Sequence, residues 1–192
     1  MSIISIDKRF DMSLHNAIVF AARKHDKQYR KTTDIPYISH IMEVMQILIE
    51  NNCRKEVIIA GILHDTIEDT DTTPEEIKKF FGKEVLSIVQ SETEEDKSLS
   101  WLERKSTFIN HLYSACLETK LVCCADKLSN IRSIYVGLQT DGDEVWKCFN
   151  AGKEMQQWYY ENIVSALSNI SETSMYHNLK GMVSNVFYSG ME

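Results

Sequence analysis

The sequence predicts a single all-α domain of about eight to ten helices. Three observations predict it. Only seven glycines and two prolines occur among 192 residues, too few for the turns of an all-β fold. Apolar residues recur at helical spacing nearly throughout. Helix-start signatures stand in front of the apolar runs, two of them as full capping boxes. A chain of this length, 43% hydrophobic, buries one sizeable core, so residues 1–192 are expected to form one domain.

Taken in order, Ser13 is expected to cap a first helix with Ala17, Ile18, Ala21 and Ala22 on one side. "IPYISHIMEVMQILIEN" follows, with Pro36 near its start and Ile38, Ile41, Met42, Met45 and Leu48 spaced by three and four. A third helix is predicted through "RKEVIIAGILHDTIED". Thr73-Pro74-Glu75-Glu76 combines a cap residue, a first-turn proline and a capping-box glutamate, and Gly82 ends the helix it opens. Ser100 and Glu103 form the second box, opening "WLERKSTFINHLYSAC". Further helices are predicted over "ETKLVCCADKLSNIRSIYVGL", over the long run "DEVWKCFNAGKEMQQWYYENIVSAL", and over the tail "SETSMYHNLKGMVSNVFYS".

Several classes are excluded. The opening "MSIISIDKRFDMSLHN" meets charges before any apolar stretch develops, so no signal peptide is expected, and no run approaches the length of a membrane span. The five cysteines, Cys53, Cys116, Cys123, Cys124 and Cys148, are odd in number and lack paired spacing; they read as reduced, mostly buried thiols of a cytoplasmic protein. A net charge of −7 argues against general affinity for nucleic acid. The charge is uneven: residues 23–31 carry five Lys or Arg and one Asp, while residues 65–76 carry six acids and no base. A basic face opposite an acidic one suits an anionic ligand bridged by a cation; two unrelated solvated faces would give the same pattern.

The acidic segment begins "GILHDTIEDTD", residues 61–71, behind the apolar run of the third helix. On an unbroken helix, His64 and Glu68 stack one turn apart, with Asp65 and Asp69 beside them. Such a pair alone also suits a surface helix end. His40, however, lies near the front of an apolar helix, and Asp126 interrupts the apolar run "LVCCADKLSNI". A burying helix tolerates an Asp only where it is paired, hydrogen-bonded or metal-bound. Asn130 falls on the same face one turn later. Two imidazole nitrogens and two carboxylate oxygens suit a divalent ion such as Mn2+, Fe2+ or Zn2+.

His40, His64-Asp65 and Asp126 follow the H…HD…D signature of HD-domain metal-dependent phosphohydrolases. The words "FAARKHDKQYRK…PYISH", "AGILHDTIEDTDTT", "LERK" and "KLVCCADKLSNI" resemble the hydrolase domain of the Rel/Spo alarmone enzymes. They are most similar to its stand-alone form, the small alarmone hydrolases, which include the metazoan Spo homologue. The resemblance spans residues 17 to 165, approximately. It implies an HD-domain helical bundle that removes the 3′-pyrophosphate of ppGpp or pppGpp, giving GDP or GTP and pyrophosphate. It implies one Mn2+ ion on His40, His64, Asp65 and Asp126, with Glu68 and Asp69 orienting or deprotonating a water. It further implies Arg23 and Lys24 against the base and phosphates, Tyr37 lining the pocket beside His40, and Asn130 touching the ribose or its phosphate. Arg104, Lys105 and Lys153 are further candidate cations. Two departures stand out. Ile41 replaces the proline that usually follows the first histidine, and "NAGKEMQQWYYENIV" matches only loosely. The same site acting on ppApp or NADPH is the alternative substrate reading, and a hydrolytic antitoxin to an alarmone synthetase the alternative role. No synthetase domain is expected within these 192 residues.

Overall fold

The computed structural model describes residues 12–31, 33–93 and 98–188. Its helices are α1 (Met12–Lys24), α2 (Ile38–Glu50), α3 (Lys55–Leu63), α4 (Thr66–Asp69), α5 (Pro74–Phe81), α6 (Lys83–Glu92), α7 (Trp101–Ser114), α8 (Leu117–Asp141), α9 (Lys153–Ala166) and α10 (Ser174–Phe187), with 3-10 turns at Gly142–Cys148 and Ser168–Ile170. Among the described residues no strand forms, and a lone antiparallel bridge joins Tyr29 to Pro36. The all-α expectation is met.

Helix α3 is apolar all round. Every residue from Val57 to Leu63 is buried, so the helix belongs at the centre, and α1, α2, α6 and α8 pack around it. Gly61 sets the approach of α2, since a Cβ there would meet Leu48 Cδ1 at 2.3 Å. The helix that carries His40 therefore lies hard against the helix that ends before His64. The longest element, α8, has 25 residues and spans about 37 Å. It packs against α2, α3, α6 and α10, burying Val122 to Asp126 together with Leu128, Ser129, Ile131 and Ile134.

Both capping boxes form. Thr73 accepts from the Glu76 amide and Ser100 from the Glu103 amide, each glutamate answering the cap's own backbone. Gly82, at φ +92°, turns the chain between α5 and α6, a conformation that strains any residue with a side chain.

Four expectations are corrected. Ser13 lies inside α1 rather than ahead of it, and Ala22 is exposed while Ala17 and Ala21 are buried. The third helix breaks at His64–Asp65, as developed below. The predicted run over 143–167 is interrupted: the 3-10 turn ends at Cys148, Phe149 is extended, and α9 starts only at Lys153. Asn150 and Gly152 are poor helix formers, and the break lets Trp146 stack on Phe187 of α10, ring centroids 5.6 Å apart. Cys123 and Cys124 are buried in α8 as expected, but Cys116 is exposed and Cys53 and Cys148 are half-buried; all five are free. Burial pushes the Cys124 thiol up to about 12, which leaves it a packing residue with no thiolate at neutral pH. No described helix is long and apolar enough to cross a membrane.

Candidate metal centre and active site

The site begins where α3 stops. A helix end leaves carbonyls without intrahelical donors, and here side chains take them: His64 Nδ1 lies 2.8 Å from the Gly61 carbonyl, and Thr66 Oγ1 donates to the Leu63 carbonyl at 2.7 Å. Asp65, at φ −92° and ψ −3°, leaves helical register, and α4 restarts as a single turn. His64 and Glu68 thus do not belong to one continuous helix, although Asp69 N still bonds to the Asp65 carbonyl at 2.9 Å. The break turns His64 and Asp65 towards α2 and α8, and carries Glu68 and Asp69 to the cleft on the next turn.

Four side chains from three places in the chain converge. His64 Nε2 lies 2.8 Å from Asp65 Oδ2, 3.4 Å from His40 Nε2 and 3.5 Å from Asp126 Oδ1. His40 Nε2 lies 3.2 Å from Asp126 Oδ1 and 3.7 Å from Asp65 Oδ2. Of these, His40, His64 and Asp65 meet the mutual spacing of a metal-binding group, and Asp126 joins them through the two imidazoles. Ligand atoms about 2.0–2.2 Å from one ion stand roughly 3 to 3.6 Å from their neighbours, close to the separations of the two imidazole nitrogens from each other and from each carboxylate. The chemistry agrees. Because a backbone carbonyl can only accept, His64 Nδ1 carries the proton, and a neutral ring then aims its Nε2 lone pair at two carboxylates. That arrangement repels itself unless positive charge lies among the atoms. The donor set fits a divalent ion.

Without an ion, a proton on His64 supplies that positive charge. Burial lowers His64, but Asp65 and Asp126 outweigh it and raise the imidazole well above its ordinary value. His40 is lowered, with burial the largest cause. Burial would raise both carboxyls, yet His64 holds Asp65, and Lys127 with the two histidines holds Asp126, far below the usual range. Lys127 Nζ sits 2.5 Å from Asp126 Oδ2 and Asn130 Nδ2 donates to Asp126 Oδ1 at 2.6 Å. Tyr37 donates its hydroxyl to Asp65 Oδ2 at 2.5 Å, and burial followed by Asp65 raises its pKa far beyond the ordinary tyrosine range.

A cleft of about 480 Å³ opens over these residues. Asp65, Glu68 and Asp69 line one part of it, and Arg30, Lys31, Arg104, Lys105 and Lys127 supply cations, with Asn130, Phe108, Tyr159 and Tyr160 among the other walls. Tyr37, Asn130 and Arg104 line this cleft. Three others are not in this cleft. Arg23 is exposed on α1. Lys24 pairs with Asp71 at 2.8 Å and Glu76 at 3.6 Å, which does join the basic and acidic segments, though at the surface. Lys153 lines a separate cavity with Tyr135 and Asp143, its Nζ 6.0 Å from the Trp146 ring centre. The basic pair that reaches the cleft is Arg30-Lys31, in the same quoted stretch. After α1 the chain doubles back, Arg30 N bonding to Ile35 O at 2.9 Å and Tyr37 N to Gln28 O at 2.8 Å. Arg30 Nη2 then reaches Asn130 Oδ1 at 3.3 Å. Composition shows two basic pairs; only the turn tells which one faces inward.

Glu92, at the end of α6, is a further cleft residue that nothing in its sequence surroundings marks. It lines the cleft, its Oε1 is buried with no hydrogen-bond partner among the described residues, and burial pushes its carboxyl up to about 8. A carboxyl raised from 4.5 to about 8 on folding stabilises the fold fully below pH 4.5, and that stabilisation is lost as pH climbs towards 8. Thermal unfolding of chelated protein between pH 4.5 and 9 is therefore expected to show Glu92→Gln gaining on the wild type as pH rises. A constant difference in Tm across that range would mean that Glu92 folds ionised.

A family model described as HD domain matches residues 17–154. The chain belongs to the HD-domain family. Within it, the chain is 39% identical to the guanosine-3′,5′-bis(diphosphate) 3′-pyrophosphohydrolase MESH1 of Drosophila melanogaster, over 63% of this chain and 69% of that one. It is 41% identical to MESH1 of Homo sapiens, over 63% and 69%. These matches place it among the small HD-domain ppGpp hydrolases. Among solved structures, lmo0812 of Listeria monocytogenes superposes with a TM-score of 0.72 at 38% identity, over 77% of this chain and 98% of that one. A metazoan orthologue of SpoT described as hydrolysing ppGpp superposes with a TM-score of 0.72 at 28% identity, covering 97% of both chains.

Proposed function

We propose that this HD-domain enzyme degrades the alarmone by hydrolysing the 3′-pyrophosphate of (p)ppGpp to GDP or GTP and pyrophosphate, using one divalent ion, Mn2+ in our reading, on His40, His64, Asp65 and Asp126. The observation that carries it is the convergence of His40 and His64 with Asp65 and Asp126 beside a cation-lined cleft, each carboxylate placing an oxygen 2.8 to 3.7 Å from both imidazole Nε2 atoms. Bound there, such an ion lowers the pKa of its water and screens phosphate oxygens. Tyr37 and Asn130 hold the two carboxylates in place through their hydrogen bonds. Glu68 or Asp69 accepts the proton of the attacking water, since both line the cleft on the turn that follows His64 and Asp65. Arg30, Lys31, Arg104 and Lys127 meet the negative charge of the two pyrophosphate groups. In this reading Arg30 and Lys31 take the part that the family resemblance assigned to Arg23 and Lys24.

The test is product analysis after mixing purified protein, Mn2+ and ppGpp, with ppApp and NADPH as parallel substrates. GDP and pyrophosphate in equal amounts are expected. Inorganic phosphate as the product, or turnover of NADPH alone, would count against the assignment. In the same assay Arg30→Ala should raise KM several-fold, by a factor that shrinks as salt is added, while Arg23→Ala stays close to the wild type. The reverse ranking would return the phosphate contact to α1.

A further inference from the structure

We propose that Glu43, acting through Ser129, fixes the tautomer of His40 and thereby sets the affinity of the centre for its ion. The inference rests on the metal reading above. Ser129 is fully buried, its Oγ donates to Glu43 Oε2 at 2.7 Å, and His40 Nδ1 lies 2.8 Å from the same Oγ. A serine has one hydroxyl proton and a carboxylate can only accept, so that proton is committed to Glu43. Ser129 Oγ must then accept from His40, which puts a proton on Nδ1 and leaves Nε2 as the bare nitrogen facing Asp126, His64 and Asp65. Arg132 donates to the other oxygen of Glu43 at 3.0 Å, turning the carboxylate towards Ser129. That outer ion pair is more than a third exposed and contributes little energy; its use is orientation.

The relay is built from matched spacings. His40 and Glu43 lie three apart on α2, Ser129 and Arg132 three apart on α8, and these two helices pack together. His64 needs no such device, because its Nδ1 is tied to a backbone carbonyl that no side-chain change can reorient. His40 depends on side chains. With Glu43 gone, the Ser129 hydroxyl is free to donate to Nδ1, and the proton moves to Nε2, where it blocks ligation.

Glu43 is here a positioning residue, and the test is a double-mutant cycle on Mn2+ affinity, read from the free-ion EPR signal, for Glu43→Ala, Ser129→Ala and the pair. Glu43→Ala is expected to weaken Mn2+ binding about 10- to 100-fold, and to shift the 15N resonances of His40 from the Nδ1–H to the Nε2–H pattern in chelated protein. Because Glu43 acts through Ser129, adding Glu43→Ala to Ser129→Ala should cost almost nothing further. A mere tie between α2 and α8 predicts the opposite: a lower Tm in the chelated variant with Mn2+ affinity and tautomer unchanged, which would overturn the relay alone. Wild-type protein that takes up no Mn2+ would overturn the metal reading along with it.

Discussion

Asp65→Asn is expected to lose both the metal and the turnover of ppGpp, as chelation of the wild type should. Asp65 Oδ2 is the closest carboxylate atom to His64 Nε2, at 2.8 Å, and it also receives the Tyr37 hydroxyl. The amide removes a negative charge from the donor cluster and places either a weaker oxygen or an N–H donor where a cation should sit. Metal content by mass spectrometry and initial rate should fall together. Folding should not follow them, because the core around α3 and α8 is apolar and closes without the ion. Far-ultraviolet circular dichroism of chelated wild type should therefore remain helical. An Asp65→Asn protein with one equivalent of tightly held metal and wild-type rate would remove Asp65 from the ligand set.

Glu68→Gln and Asp69→Asn should separate metal binding from water activation. Both residues line the cleft on α4, and neither is in the converging group of His40, His64 and Asp65. The amides keep shape and hydrogen bonding but cannot take a proton. Loss of a general base lowers the rate by two to four orders of magnitude, roughly 3 to 5 kcal/mol of transition-state stabilisation. Metal content should stay near that of the wild type. If both variants bind metal normally and still turn over at full rate, the ion activates the water without help from either carboxylate. A large loss in only one of the two would identify the base, a choice that adjacency in sequence does not make.

Local and regional features were readable in the chain itself. Capping boxes at Thr73 and Ser100 involve residues three apart, so their chemistry is complete within one turn. His40, His64 and Asp126 could be singled out because each puts a polar group into an apolar run, and a buried polar group must have a partner somewhere. The partner's location was not readable. Apolar periodicity runs straight through His64 and Asp65, because a helix break that keeps its face towards the core leaves that pattern intact. Glu92 sits in "QSETEED", which reads as a solvated helix end, yet α6 packs on α3 and α8 and carries its last residue into the cleft.

What the sequence alone determined was the fold class, the two capping boxes and His40, His64 and Asp65 as groups able to hold a divalent ion, since these follow from residue type and short-range spacing. Tertiary structure decided everything that depends on two distant segments meeting. It chose Arg30-Lys31 over Arg23-Lys24, because the turn between Gln28 and Tyr37 sets which pair overhangs the cleft. It sent Lys153 to another cavity, because the break before α9 displaced that helix's first turn. It joined Glu43 to Ser129 and His40, because the relative register of two packed helices is fixed by core contacts along their length, and no spacing within either helix encodes it.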